Sequence, residues 1–270
     1  MREVKQISSL QNHLVKKVTL LKEKSRERRS SGSFVLEGQR EFDLACKGGY
    51  NIQYVFFCPK IISEEKLRQK LESFEKFPEI IEVSHEIYQK MAYRESTEGI
   101  VAVASSKKHA VNDISFRNKN PLVLIAEAPE KPGNIGALLR TADSANLDAV
   151  IIVNNKGDLY NPNIIRSSVG CLFTVNIATG TTMEVIRFLK ENNIAIYSAA
   201  LSASCVYTEV DYKKGCAIVV GTESTGLTRE WLENSDQNII IPMQGEIDSM
   251  NVSVSAAILI FEAKRQRKFL

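Results

Sequence analysis

Five short runs after residue 120 of this 270-residue chain are apolar at every position: Leu122-Val123-Leu124-Ile125, Val150-Ile151-Ile152-Val153, Ile194-Ala195-Ile196, Ala217-Ile218-Val219-Val220 and Ile239-Ile240-Ile241. A strand with one wet face alternates polar and apolar residues, whereas a strand apolar throughout has both faces covered. Helix-length segments separate most of these runs. The pattern therefore predicts a parallel α/β sheet sandwiched between helices, whose polar chemistry is confined to the loops beyond the strand ends.

The first hundred residues read differently. Leu10, Leu14, Val18 and Leu21 have helical spacing and lead into Lys22-Glu23-Lys24-Ser25-Arg26-Glu27-Arg28-Arg29-Ser30-Ser31-Gly32-Ser33, so residues 1–33 read as a helical arm ending in a mobile basic loop. Strands are then expected at Phe34–Leu36, Gln53–Cys58, Ile80–Val83 and Gly99–Ala104, and helices at Gln39–Cys46, Ser63–Phe77 and His85–Met91. That is a small α/β sandwich of its own. Residues 107–120 are polar, lack periodicity and end at Pro121, so the expected division is a domain at 1–106, a linker at 107–120 and a second domain at 121–270.

Net charge is only +3, but cations gather at the two ends of the chain. Arg26, Arg28 and Arg29 lie in the first cluster, and Lys264, Arg265, Arg267 and Lys268 form the second. Such clusters either meet phosphates or merely keep a terminus solvated. The five cysteines and three histidines show no metal-ligand spacing, so no metal is expected. With no secretory pattern and no run approaching the ~20 apolar residues of a membrane helix, the expected compartment is the cytoplasm, with no membrane partner.

Three strand-end segments can carry chemistry. The first, Glu127-Ala128-Pro129-Glu130-Lys131-Pro132-Gly133-Asn134-Ile135-Gly136-Ala137-Leu138-Leu139-Arg140, is a tight strand-to-helix loop without the glycine pattern of a P-loop or a dinucleotide site. Taken alone, it favours the plain reading: Asn134 as a helix cap, Arg140 as a surface cation. The second, Gly221-Thr222-Glu223-Ser224-Thr225-Gly226, places a carboxylate at the sheet edge, where it serves equally well as a ligand group or as a partner for the next helix dipole. The third runs from Ile241 through Met243, Ser249 and Met250 to Asn251, where a polar loop opens an almost wholly apolar helix, Val252–Phe261. Free backbone N–H groups at a helix start and free carbonyls beyond a strand make this turn a ready ligand site.

In this order, the three segments resemble the signature motifs of the SpoU (TrmH-like) branch of the SPOUT RNA methyltransferases. The resemblance covers roughly residues 121–268, and residues 1–105 are similar, less sharply, to the substrate-binding domain that many members carry in front. It implies a parallel-sheet α/β domain closed by a trefoil knot, preceded by a smaller α/β sandwich like those of ribosomal RNA-binding proteins. It also implies a homodimer formed through the knotted domain. The implied activity is methyl transfer from S-adenosylmethionine to a ribose 2'-hydroxyl in RNA, with large-subunit ribosomal RNA of the 23S type favoured over tRNA. A non-catalytic RNA-binding or ribosome-assembly protein on the same fold is the alternative of a different class.

By position, the resemblance assigns Gly221, Thr222, Ile241, Met243, Met250 and Asn251 to the cofactor. Arg140, Asn134, Glu223, Ser249 and Asn251 would face the reacting ribose. A 2'-hydroxyl is a poor nucleophile, so Arg140 would act either as a base or as a fixed cation stabilising the forming alkoxide. Arg166, in Asn163-Ile164-Ile165-Arg166-Ser167-Ser168-Val169-Gly170, is a candidate phosphate ligand or a plain helix-surface arginine. With RNA as substrate, Arg26, Arg28, Arg29 and the C-terminal cations become expected backbone contacts. The apolar Val252–Phe261 helix would be covered on more than one side.

Overall fold

The computed structural model describes residues 4–72, 77–92, 98–203 and 205–269. They form two compact units, one made of the chain up to Lys107 together with Asp158–Thr174, the other of Lys108–Gly157 together with the chain from Val175 onward. Residues 158–174 fall within the second stretch of the sequence-based division, yet they pack with the first unit.

The first unit contains β1 (Lys5–Ile7), α1 (His13–Glu23), α2 (Ser25–Ser31), β2 (Ser33–Glu37), α3 (Gln39–Lys47), β3 (Ile52–Phe57), α4 (Glu64–Leu71), β4 (Glu79–Val83), α5 (His85–Met91) and β5 (Ile100–Ser105). Its sheet runs β1-β4-β3-β5-β2, with β5 antiparallel to both neighbours and the remaining pairs parallel. Side-chain caps start three of the helices: Asn12, Ser63 and Ser84 accept from the N–H groups of Leu14, Lys66 and Ile87. The helix expected at Ser63–Phe77 is α4, which ends at Leu71 with Glu72 as its C-cap; residues 73–76 lie outside the described residues, and Phe77 is not helical.

The stretch Lys22–Ser33, expected as a mobile basic loop, is instead the end of α1 followed by α2, which stops at Gly32 in the left-handed conformation (φ 59°). The reason is Arg28. It turns inward, 5% exposed, and donates to the carbonyls of Leu21 (2.6 Å) and Lys22 (3.2 Å) and to the buried carboxylate of Asp158. Polar composition alone could not reveal that one arginine of the cluster is a core residue. Arg28 is therefore removed from the surface available to a phosphate, while Arg26 and Arg29 are exposed.

Asp158 belongs to the returning segment, which carries the short helix α7 (Pro162–Ser167, numbered in chain order) and a single 3-10 turn at Cys171–Phe173. The segment seats on an aromatic cluster. The Phe34 ring stacks on Tyr160 with centroids 4.3 Å apart, Tyr50 meets Phe173 edge-on at 5.0 Å, and the hydroxyls of Tyr50 and Tyr160 lie 3.3 Å apart. Burial raises both phenol pKa values. At Gly48 a Cβ atom would stand 2.0 Å from the carbonyl oxygen of Phe173, so only glycine permits this approach.

The second unit contains β6 (Leu122–Glu127), α6 (Pro132–Ser144), β7 (Ala149–Val153), β8 (Ile177–Gly180), α8 (Thr182–Glu191), β9 (Ala195–Ala199), β10 (Cys205–Val206), β11 (Cys216–Gly221), α9 (Arg229–Asn234), β12 (Gln237–Ile240) and α10 (Val252–Gln266). All seven strands are parallel, in the order β10-β12-β9-β11-β6-β7-β8. The predicted apolar runs are the five central strands; β8 has only two apolar residues, and the two residues of β10 are too few to show a run. Val123, Ile125, Ile151 and Val219 pack with α8 and α9, while α10 lies against α6 and β11. The sheet is covered on both faces.

The C-terminal cations were expected to face phosphates, but most are occupied by the protein itself. Lys264 is buried, Arg265 forks onto Glu262 at 2.8 and 2.9 Å, and Arg267 donates to the carbonyls of Tyr212 (2.7 Å), Asn120 (2.7 Å) and Lys214 (2.5 Å). Arg267 thereby ties the end of α10 to the backbone just before β6 and β11. Along α10, Ala256, Leu259, Ile260 and Ala263 are buried, while Val254 (47%) and Phe261 (43%) remain exposed.

Removing one partner of a buried ion pair strands the other. Arg28→Ala is expected to cost about 3–5 kcal/mol in urea unfolding, and Arg28→Met combined with Asp158→Leu should recover most of the loss. An Arg28→Ala protein within about 0.5 kcal/mol of wild type would contradict this assignment.

Candidate functional site

From β6 the chain proceeds to β7 and β8 on one side of the sheet, whereas β11, β9, β12 and β10 lie on the other. Between β6 and β11 the winding reverses. Open parallel sheets bind ligands in the crevice that such a reversal leaves at the carboxyl ends of the strands. The loops after β6, β11 and β12 meet there.

Their meeting is recorded by one chain of hydrogen bonds. The Asn134 side-chain Nδ2 donates to Glu223 Oε1 at 2.6 Å, and its Oδ1 accepts from Asn251 Nδ2 at 3.1 Å. The second Glu223 oxygen faces Lys131 Nζ at 3.5 Å. Asn134 is buried in the first turn of α6 and is not its cap, a position held by Lys131; Pro132, at the start, fits a turn whose first N–H groups lack intrahelical partners. Asn251 is a cap, of α10: its Oδ1 accepts from the Ser253 N–H at 2.9 Å and the Ser253 hydroxyl at 2.6 Å. Each amide thus has both ends engaged, which fixes their orientation.

Thr222 folds its own loop, its hydroxyl bonding to Gly226 O at 3.0 Å and accepting from Thr225 N–H at 3.1 Å. Gly221 has φ 130°, and a Cβ there would lie 2.4 Å from Glu127 O, so the strand crossing at this point requires glycine. Ile241, Met243 and Met250 are half-buried and Ser249 is exposed. From Met243 to Met250 no backbone N–H or C=O bonds to another described residue. Unengaged backbone groups beside half-buried apolar side chains suit a small ligand with both polar and apolar parts, as the resemblance-implied S-adenosylmethionine has.

The structure joins Asn134, Glu223 and Asn251 by hydrogen bonds, and among the described residues no hydrogen bond or ion pair adds Arg140 or Ser249 to them. Arg140 is exposed on α6; six residues beyond Asn134, it faces about 120° away around the helix. Its guanidinium forms no ion pair among the described residues. Arg166 belongs to the first unit, where its Nη2 donates to Asn163 Oδ1 at 2.9 Å. Sequence reasoning passed over Glu127, Lys131 and Thr228. The available signal was Glu127 itself, a carboxylate ending a strand otherwise apolar from Leu122 to Ala126. Among the described residues no group of three metal-ligating side chains converges, and no helix is long and apolar enough to cross a membrane.

Fold and side-chain geometry together define an open parallel α/β domain with a candidate polar ligand site at its winding reversal and, in its sequence, no phosphate-binding glycine loop. Residues 121–261 match the model of the SpoU rRNA Methylase family, and residues 12–102 match the MRM3-like substrate binding domain. The chain is 28% identical over 261 residues to 23S rRNA (guanosine(2553)-2'-O)-methyltransferase RlmP of Bacillus subtilis (strain 168), spanning 97% of this chain and 100% of that protein. A crystal structure of an RNA 2'-O ribose methyltransferase is similar with a TM-score of 0.82 and 33% identity, over 97% of this chain and 99% of the other. The AdoMet-bound rRNA methyltransferase from Sinorhizobium meliloti gives a TM-score of 0.87 at 25% identity, over 97% and 98%. The chain belongs to the SpoU rRNA methylase family.

Because Gly221 abuts the backbone of β6, its replacement tests the sheet before it tests any ligand. Gly221→Ala is expected to cost at least about 2 kcal/mol in denaturant unfolding through strain and clash. Unchanged stability would mean that the β6–β11 crossing can relax around a side chain.

Proposed function

We propose that this protein transfers a methyl group from S-adenosylmethionine to a ribose 2'-hydroxyl of RNA, with large-subunit ribosomal RNA as the substrate. The observation that carries this reading is the Asn251–Asn134–Glu223 chain, which joins the loop suited to the methyl donor with the loop suited to the acceptor. Similarity along nearly the whole chain to a 23S rRNA methyltransferase, including its leading domain, favours ribosomal RNA over tRNA.

When bound, the cofactor supplies an activated sulfonium methyl. Backbone groups of Gly221, Thr222 and the Ile241–Met250 loop hold it, with Met243 and Met250 against its apolar parts. Asn134, Asn251, Glu223 and Ser249 orient the ribose. Arg140 stabilises the developing alkoxide as a fixed cation or takes the hydroxyl proton; a guanidinium ordinarily keeps its proton, which favours the first role.

In the first unit, exposed Arg26 and Arg29, with Arg166, contact RNA phosphates and give affinity that falls steeply with salt. The partly exposed apolar face of α10, with Val254 and Phe261, together with Ile247 (73% exposed), is the surface for a second copy of the chain. The homodimer, the knotted course of the C-terminal segment and the cytoplasmic setting are parts of this proposal.

The test is methyl transfer to ribosomal RNA in vitro, read as alkali-resistant 2'-O-methyl dinucleotides. Product on ribosomal RNA supports the reading; product on tRNA alone redirects it; RNA binding without cofactor binding makes the protein a non-catalytic RNA-binding factor. Within an active protein, Arg140→Ala is expected to lower kcat by at least about 100-fold while leaving S-adenosylmethionine affinity within about twofold. Retained turnover would remove Arg140 from the reaction.

A further inference from the structure

The loop that carries Glu223 is fastened at both ends to one residue. Gly221, at the end of β11, pairs across the ladder with Glu127, the last residue of β6. Thr228, at the other end, donates its N–H to Glu127 Oε2 and its hydroxyl to Glu127 Oε1, each at 2.9 Å. A third donor, the Thr182 hydroxyl at the start of α8, lies 3.4 Å from Oε1 and itself accepts from Asn154 Nδ2 at 2.9 Å. Between the two anchors the Thr222 hydroxyl cross-links the loop, and Leu227 is buried in the core. Immediately after Glu127, Ala128 is held in the left-handed region at φ 42°, a conformation that a non-glycine residue keeps only when its surroundings enforce it.

Glu127 is 1% exposed and takes part in no ion pair among the described residues; neutral donors alone hold it. A buried carboxylate without a cation is a costly way to finish an apolar strand, and a leucine would fill the same space at lower cost. What leucine cannot do is accept three hydrogen bonds from two other loops.

We propose that Glu127 is a positioning residue for methyl transfer: it holds loop 222–227 closed in advance, so that Gly221 and Thr222 meet the methyl donor and Glu223 meets Asn134 without an ordering cost at binding. The proposal rests on the function proposed above. Loosening the loop transfers part of its ordering cost to cofactor binding, which weakens affinity more than it slows the bound complex.

The test uses the full chain with Glu127→Leu, Glu127→Gln and Thr228→Val. For Glu127→Leu, thermal stability should stay near wild type, Kd and KM for S-adenosylmethionine should rise about tenfold, and kcat at saturation should stay within about threefold. Amide exchange across 222–228 should accelerate while that of β6 and β11 does not. Glu127→Gln should restore most of the affinity, since its amide oxygen still accepts from the Thr228 N–H and its NH2 can donate to the hydroxyl. Thr228→Val, which removes one of the three donors and serves if Glu127→Leu does not fold, should raise Kd by about threefold. An active wild type beside a Glu127→Leu protein with unchanged Kd and loop exchange overturns the proposal, as does an unchanged Kd with collapsed kcat. A wild type that binds no S-adenosylmethionine instead defeats the underlying function, and loop exchange then still reports whether Glu127 holds the loop.

Discussion

Burial of the central strands on both faces is the constraint on which the second unit depends. Strands with no wet face leave polar side chains only at their ends, and the reversal of winding between β6 and β11 selects which ends become a crevice. Asn134, Glu223 and Asn251 come from three strand-end segments separated by up to 117 residues, yet they meet because the strands and helices that carry them belong to one packed sheet unit. α10 completes the arrangement from both ends. Asn251 caps its start beside Asn134, and Arg267 binds its end to carbonyls just before the amino ends of β6 and β11.

That constraint also explains what could be read from sequence. Continuous apolar runs located the five central strands and, through them, the loops that matter. The strand at Ile177–Gly180 escaped notice because only two of its residues are apolar, and β1 because three residues carry too little pattern. Family resemblance alone pointed to Arg140 and Ser249, and among the described residues no hydrogen bond or ion pair links either side chain to the Asn134 chain.

The electrostatic expectations fared less evenly, and for a physical reason. A cluster of cations is visible in sequence, but which member turns inward is decided by a distant partner. Arg28 is taken up by Asp158, 130 residues away, whereas Arg26 and Arg29 on the same helix remain exposed. Arg267 is consumed by backbone carbonyls that no composition reveals. The seating of residues 158–174 on the first unit likewise depends on Phe34, Tyr50, Tyr160 and Phe173, whose clustering is set by tertiary packing. Glu127 shows the reverse case. It was passed over in sequence although it is the one carboxylate of an otherwise apolar strand, and its meaning comes only from the donors that surround it.

In the proposed function, the Asn134 side chain joins the loop suited to the methyl donor to the loop suited to a ribosomal RNA acceptor. The most direct check is to map 2'-O-methyl groups in ribosomal RNA from cells with and without this gene. The prediction is the loss of methylation at one nucleotide of the large-subunit RNA, restored by the wild-type protein and not by an Asn134→Ala variant. Identical maps in the two cell lines, or full restoration by Asn134→Ala, would contradict it.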